Sequence, residues 1–360
     1  MGFRQRTVKQ ESHDHDCSSE ENPLLDAVED SLNGTSKVWK KVQEEVKHEY
    51  RLLEYHALPE YLKDNEYILS HYRADFTFSR AFRSLFELHN ETVNIWTHLL
   101  GFLFFLILTI FTVSELWQWQ ISVSRCQFDQ GQENITNESC LLLVMKERIS
   151  RITDPVLQRT TRWPFFVFMG GSMFCLLAST VCHLFTCHSK PLAIFLMRVD
   201  YAGIAIMIAT SFFPPIYYVF QCTPIWQWVY LGTISVMGVI TVGVLFAPVC
   251  QSGKYRPFRV LLFVSMGVSG LIPAVHAVVT NWHEPLCAVA VAHEATMAGF
   301  YALGAMIYVI RIPERWKPGT FDLGGHSHNL FHILVIAGAY THYRAALLFL
   351  EWRDTRVCTQ

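Results

Sequence analysis

Seven stretches of this 360-residue chain are apolar for long enough to cross a bilayer as a helix, which takes about 20 residues. They run Trp96 to Val113, Pro164 to Phe185, Ile194 to Tyr218, Ile225 to Val249, Phe258 to Val279, Ala288 to Ile310 and Asn329 to Phe349. In hydrocarbon no water is available to backbone polar groups, so a spanning segment must be a helix or part of a closed barrel. The runs show no strand alternation, which argues against a barrel. The expected fold is therefore an all-α membrane protein, a seven-transmembrane helix bundle. Composition agrees: charged residues make up 17% of the chain, against about 25% in soluble proteins. The formal net charge of −2 gives no case for nucleic-acid binding.

The chain divides into four regions. Residues 1–36 are expected to form a disordered acidic cytoplasmic tail; from Glu11 to Ser36 there is no Lys or Arg. Residues 37–94 are expected to form a cytoplasmic juxtamembrane helical region, with Val38, Val42, Val46, Tyr50 and Leu53 at helical spacing and a break at Pro59. It can lie on the membrane surface or against the mouth of the bundle. Residues 95–350 are the seven-helix domain, and 351–360 a short outer tail. No cleavable signal peptide precedes the first span, which serves as the insertion signal.

Orientation follows from the short loops. Lys190 and Arg198, then Lys254, Arg256 and Arg259, then Arg311, Arg315 and Lys317 mark three of them, while the short loops between spans three and four and spans five and six carry no Lys or Arg. Positive loops stay inside, so the N-terminus is expected in the cytoplasm and the C-terminus outside. The long loop from Ser114 to Arg162 then faces outside. It carries glycosylation candidates at Asn134 and Asn137, whereas the sequons at Asn33 and Asn90 would be cytoplasmic and inert. The ten cysteines form no framework. Cys126 and Cys140 share the outer loop and can pair there. Cys175, Cys182, Cys250 and Cys287 read as small packing residues.

Ionisable groups inside lipid are costly, so a site is their default explanation. Ser179 and His183 stand four apart at the inner end of span two. Asp200 lies near the start of span three, and His328 and His332 stand four apart at the start of span seven. With the orientation above, all fall in the cytoplasmic leaflet. His183, His328 and His332 are the candidate zinc ligands, because three imidazoles are the protein part of an open zinc site. Asp200 would hold a water beside the ion or take its proton, and Ser179 would orient a ligand or donate to a substrate carbonyl. The competing reading is a dry polar cluster that pins three helices together. Glu91, Asn94 and His98 lie at the start of span one and can belong to the cytoplasmic mouth, though capping and packing fit them better. His276, His283 and His293 map to the outer half, Glu294 has no evident partner, and His188 and His326 read as solvent-facing loop residues.

The chain resembles the progestin and adipoQ receptor family, which includes the adiponectin receptors. The resemblance rests on Leu58-Pro59-Glu60-Tyr61-Leu62-Lys63-Asp64-Asn65, on the run Glu91 to Gly101, on Ser179 to Ser189, on Asp200 to Ala205, on Pro313-Glu314-Arg315 and on Ser327 to His332. The acidic tail and long outer loop are similar to its plant heptahelical branch. The resemblance implies seven helices with a cytoplasmic N-terminus, and zinc on His183, His328 and His332 with Asp200 beside it. It implies a signalling receptor acting in hormone or abiotic-stress responses, in the plasma membrane or an endomembrane. It also implies, as an alternative, a zinc-dependent lipid amidase acting on ceramide-like amides. Membrane lipids, and proteins bound by the N-terminal region, are the expected partners. The spans lack the paired, Gly/Pro-broken segments of transporter repeats.

Overall fold

The computed structural model describes residues 38–39, 52–129, 160–247, 253–354, 356 and 358. Residues 1–51 and 52–360 form separate units. Of the first, Val38 and Trp39 are described, as helix. The acidic tail, Asn134, Asn137 and the side chains of Cys126 and Cys140 lie outside the described residues. The second unit contains a short helix α1 (Phe78–Arg83) followed by α2 (Thr92–Asp129), α3 (Trp163–Phe185), α4 (Lys190–Ser211) and α5 (Phe213–Val219). Then come α6 (Pro224–Phe246), α7 (Arg256–Ser269), α8 (Leu271–Thr280), α9 (Pro285–Ile310) and α10 (Ser327–Asp354). Among the described residues there is no strand, only one antiparallel bridge between Leu53 and Tyr72.

Seven segments are long and apolar enough to span a membrane: α2 to Ser114, α3, α4 with α5, α6, α7 with α8, α9 and α10. They coincide with the seven runs read from the sequence, and this is an integral multi-pass membrane protein. Proline explains why two spans are split. An N–H at Pro214 or Pro215 would have bonded the carbonyl of Thr210 or Ser211, where α4 ends; Pro273 stands in the same relation to Ser269, where α7 ends.

The bundle is layered around α3. Phe165, Phe168, Met169 and Leu176 of that helix are fully buried against Phe105, Ala339, Tyr343 and Ala346. On α9, by contrast, only Ala290 and Gly304 are buried. Lipid gives apolar helix faces no reason to associate, so close packing of small residues does much of the joining. A Cβ at Gly171 would collide with the Thr210 hydroxyl, and one at Gly338 would stand 2.6 Å from the Tyr301 ring.

The bundle has two distinct ends. At one, Arg162 pairs with Asp354, Arg356 pairs with Glu284, and a disulfide joins Cys222 to Cys358. The pairing expectation had fallen on Cys126 and Cys140, and nothing had pointed to this link. At the other end, residues 52–91 form a strap across the helix termini. The strap is helical only at α1 and in three 3-10 turns, at Tyr55–Ala57, Glu60–Leu62 and Ser84–Phe86. Much of its hydrogen bonding goes to the bundle instead. Asn65 Nδ2 donates to Glu314 Oε1 (3.0 Å), Leu69 N–H and Ser70 Oγ donate to Asp322, and Phe76 N–H donates to the Cys187 carbonyl. His188 and His326, read as solvent-facing, are drawn into this layer: His188 Nδ1 meets the Phe76 carbonyl at 2.7 Å, and His326 is buried beside Asn90.

Candidate metal centre

Three helix termini meet beneath the strap. The last two turns of α3 carry Ser179 and His183, the first half of α4 carries Asp200, and the first turns of α10 carry His328 and His332. Residues four apart on a helix stand one above the other. His328 and His332 therefore present neighbouring rings to His183. The centroid distances are 5.0 Å from His183 to each and 4.7 Å between the pair. One ring nitrogen from each residue lies within 4.8 Å of the others, so the group could hold a metal ion. His183 and His332 are buried and His328 is half-buried.

Hydrogen bonds select which nitrogens are free to ligate. His183 Nδ1 lies 2.7 Å from Glu91 Oε2 and donates to that carboxylate. Its Nε2 is buried and has no hydrogen-bond partner. Such an orphan costs about 1–3 kcal/mol unless something binds it, and an ion at the centre of the three rings would. His332 Nδ1 lies 3.3 Å from the Asn94 carbonyl, which can only accept, so Nδ1 carries the proton and Nε2 is the available lone pair. The donor set thus fits an ion that takes neutral imidazoles. A carboxylate or carbonyl behind a ligating imidazole fixes its tautomer, and a carboxylate also raises its basicity.

The supporting shell is continuous. Asn94 Nδ2 donates to Glu91 Oε2 at 2.7 Å, and Asn329 Nδ2 donates to Asn94 Oδ1 at 2.6 Å. His98 stacks on His332 with centroids 3.5 Å apart and planes 9° from parallel. Glu91, Asn94 and His98, for which capping and packing had been the preferred reading, therefore sit against the histidines. Burial opposes ionisation of the Glu91 carboxyl, but the His183 imidazole outweighs it by charge and hydrogen bond. The carboxyl stays well below the usual carboxylate range. The Ser179 hydroxyl is a hydrogen-bond donor to the Asp200 carboxyl, and Asp200 in turn lies in the field of His183.

Two further residues fix the helix ends. Arg73, buried in the strap, donates to the carbonyls of His183 (2.6 Å) and Leu184 (3.2 Å) at the C-terminus of α3. Cations are favoured there by the helix dipole. Glu314, fully buried, accepts from the Ser327 N–H at 2.7 Å and from its hydroxyl, at the N-terminus of α10. Neither had been singled out for this. An Arg and a Glu more than ten residues from any ligand carry no local spacing signal. Glu294 does have a partner, the buried His342 of α10 at 3.0 Å, but that pair lies far along α10 from the histidine centre.

Comparison with known proteins identifies the family. The family model described as Haemolysin-III related matches residues 86–343, from the end of the strap through most of α10. The chain is 48% identical to Heptahelical transmembrane protein 1 of Arabidopsis thaliana, over 95% of this chain and 94% of that protein. It is 46% identical to Heptahelical transmembrane protein ADIPOR1 of Oryza sativa subsp. japonica, over 86% of this chain and 87% of that one. It is 32% identical to the Adiponectin receptor protein of Drosophila melanogaster, over 88% of this chain and 62% of that protein. A seven-helix chain matched in this way belongs to the Haemolysin-III related family, as an adiponectin-receptor-like member.

Proposed function

We propose that this protein is a multi-pass membrane signalling receptor with an intramembrane zinc ion held by His183, His328 and His332. The observation that carries the reading is the convergence of three imidazoles, with the Nδ1 of His183 held by Glu91, that of His332 by Asn94, and the His183 Nε2 left buried and unpaired. Zinc suits a set of three neutral nitrogen ligands. The receptor role is supported by similarity to proteins named for adiponectin reception, and hormone or abiotic-stress signalling by the resemblance to the plant branch. The strap end faces the cytoplasm in this proposal. Two features support that: the Lys and Arg bias of the loops, and the Cys222–Cys358 disulfide at the opposite end, where an oxidising compartment would preserve it.

A second reading, a lipid amidase acting on ceramide-like amides, is favoured by the Ser179–Asp200 pair beside the histidines. A bound zinc would polarise the amide carbonyl as a Lewis acid. Asp200 would hold an incoming water, take its proton at the carboxylate as the water oxygen bonds the carbonyl carbon, and pass it to the amine nitrogen as the C–N bond breaks, while Ser179 would keep that carboxylate oriented. The test is metal analysis of purified protein together with lipid analysis, wild type beside His332→Ala and Asp200→Asn. About one zinc per chain in wild type, lost in His332→Ala, is expected; wild type without zinc refutes the site. Fatty-acid release that disappears in Asp200→Asn with zinc retained supports the amidase; equal release from both refutes it.

A further inference from the structure

We infer that the Phe-rich face of α1 is a membrane-docking surface that seats in the inner leaflet and prefers anionic lipid. Helix α1 and the 3-10 turn after it are two-faced. Ala81 and Ser84 are fully buried towards the bundle, and the buried Arg80 guanidinium is paired with Glu87. On the other side Phe78, Phe82 and Phe86 recur every four residues, 53%, 57% and 76% exposed, followed by Leu88 at 70%. Four large apolar groups in one exposed patch are out of place against water. They are in place at a lipid boundary, where an amphipathic helix lies in the plane of the interface.

Continuity identifies the occupant. Phe86 packs on Trp96 of α2 with centroids 6.1 Å apart, and the Trp96 indole donates to the Leu85 carbonyl at 2.9 Å. Trp at the end of a span marks the headgroup level. Directly along α2 from Trp96, Leu100, Phe104 and Ile107 are exposed as the flank of a spanning helix, so the patch extends a surface that already faces lipid. At its other side the Phe78 ring packs, tilted, on His188 in the turn between α3 and α4, next to the exposed Lys190. Arg83 is also exposed on α1. These two cations flank the aromatic face, where anionic phosphate headgroups would meet them.

Docking there would bear on the metal centre. One Arg73 guanidinium donates to Ser84 Oγ, on the buried side of the docking element, and to the carbonyl of His183 itself. The lipid-seated strap and the peptide that carries a candidate ligand thus share a single hydrogen-bonding group.

The experiment uses the full chain in nanodiscs of equal phosphatidylcholine and phosphatidylserine. The photocrosslinker p-benzoylphenylalanine replaces Phe82 or Phe86, with Ile107 as a lipid-facing reference and Glu60 as an exposed polar one. Lipid adducts at 82 and 86 comparable with those at 107, and absent at 60, are expected. Adducts only to protein, or none while 107 is labelled, overturn the docking surface. Each basic residue near an anionic surface contributes about 1 kcal/mol, so phosphatidylserine should be favoured about fivefold per cation. Arg83→Glu with Lys190→Glu should remove that preference, and adducts that never favour phosphatidylserine overturn the anionic assignment. Naming the inner leaflet rests on the orientation proposed above, but the crosslink does not. Protease protection of terminal tags in sealed vesicles tests orientation separately, so lipid adducts with a protected N-terminal tag would overturn the leaflet and keep the surface.

Discussion

Replacing Glu91 tests the centre without touching a ligand. In wild type its carboxylate takes the His183 Nδ1–H at 2.7 Å and the Asn94 Nδ2–H at 2.7 Å on the same oxygen. Glu91→Gln keeps the shape and leaves an amide oxygen to accept from His183, but it removes the charge. Hydrogen bonds to charged groups contribute about 1.5–3 kcal/mol, against about 0.5–1.5 for neutral ones. The loss is then about 1–1.5 kcal/mol, a weakening of metal binding of about 5- to 13-fold. Glu91→Ala also leaves the His183 and Asn94 donors unpaired, and should approach the upper end of the about 10- to 100-fold range for such supporting residues. The assay is zinc titration of the purified protein against a competing chelator of known affinity. Melting of the chelated variants controls for folding. If both variants bind zinc as wild type does, while His328→Ala and His332→Ala lose it, then Glu91 does not tune His183 and the hydrogen-bond argument fails.

Three other outcomes follow from the geometry. Buried His89 accepts the Glu91 N–H at Nδ1 and donates from Nε2 to the Ser84 carbonyl, and burial, then the Arg73 charge, pushes its pKa down to about 3. It stays neutral when folded but protonates near 6.5 when unfolded, so stability falls with pH between about 6.5 and 3. The loss is about 2 kcal/mol by pH 5, and denaturation of His89→Asn should show a shallower pH slope; an unchanged slope refutes this. Gly171→Ala would place a methyl against the Thr210 hydroxyl, whereas Gly170→Ala meets nothing within 4 Å. The first should cost about 1–3 kcal/mol and the second almost nothing, read as melting temperatures, and equal values refute the packing account. Cys222→Ser should lower stability by about 2–5 kcal/mol under oxidising conditions and make no difference in reductant; a loss that persists in reductant would refute the disulfide as its cause.

What was legible in the sequence was whatever repeats locally. A spanning helix announces itself within its own 20 or so residues, and each of the seven runs became one. The pairs Ser179/His183 and His328/His332 were visible because a helix turns four-residue spacing into a shared face. The same rule applied to Glu91, Asn94 and His98 at the head of the first span. There it showed a common face but not what stood opposite, since that depends on how α2 packs against α3 and α10. Arg73 and Glu314 were illegible for a different reason: they act on the backbone ends of helices far away in sequence. His326 looked like a solvated loop residue because the covering strap comes from 236 positions earlier in the chain, through the Asn90 carbonyl. Cys222 and Cys358 are 136 residues apart, and nothing in either neighbourhood selects the other.

That last link has a consequence for how the molecule is assembled. Cys222 emerges once α5 is in place, but its partner is made only after four more spans, α6, α7 with α8, α9 and α10, have been threaded. The two thiols reach the same side of the membrane only if each intervening span has inserted in the right sense. A skipped or inverted span would leave Cys358 on the wrong side, with no route to Cys222. The crosslink is therefore a record of completed threading, and its presence on a non-reducing gel of a nicked chain would separate correctly inserted molecules from stalled ones. It also makes the last five helices a covalent ring, so a single cut in any of their loops would leave the pieces joined.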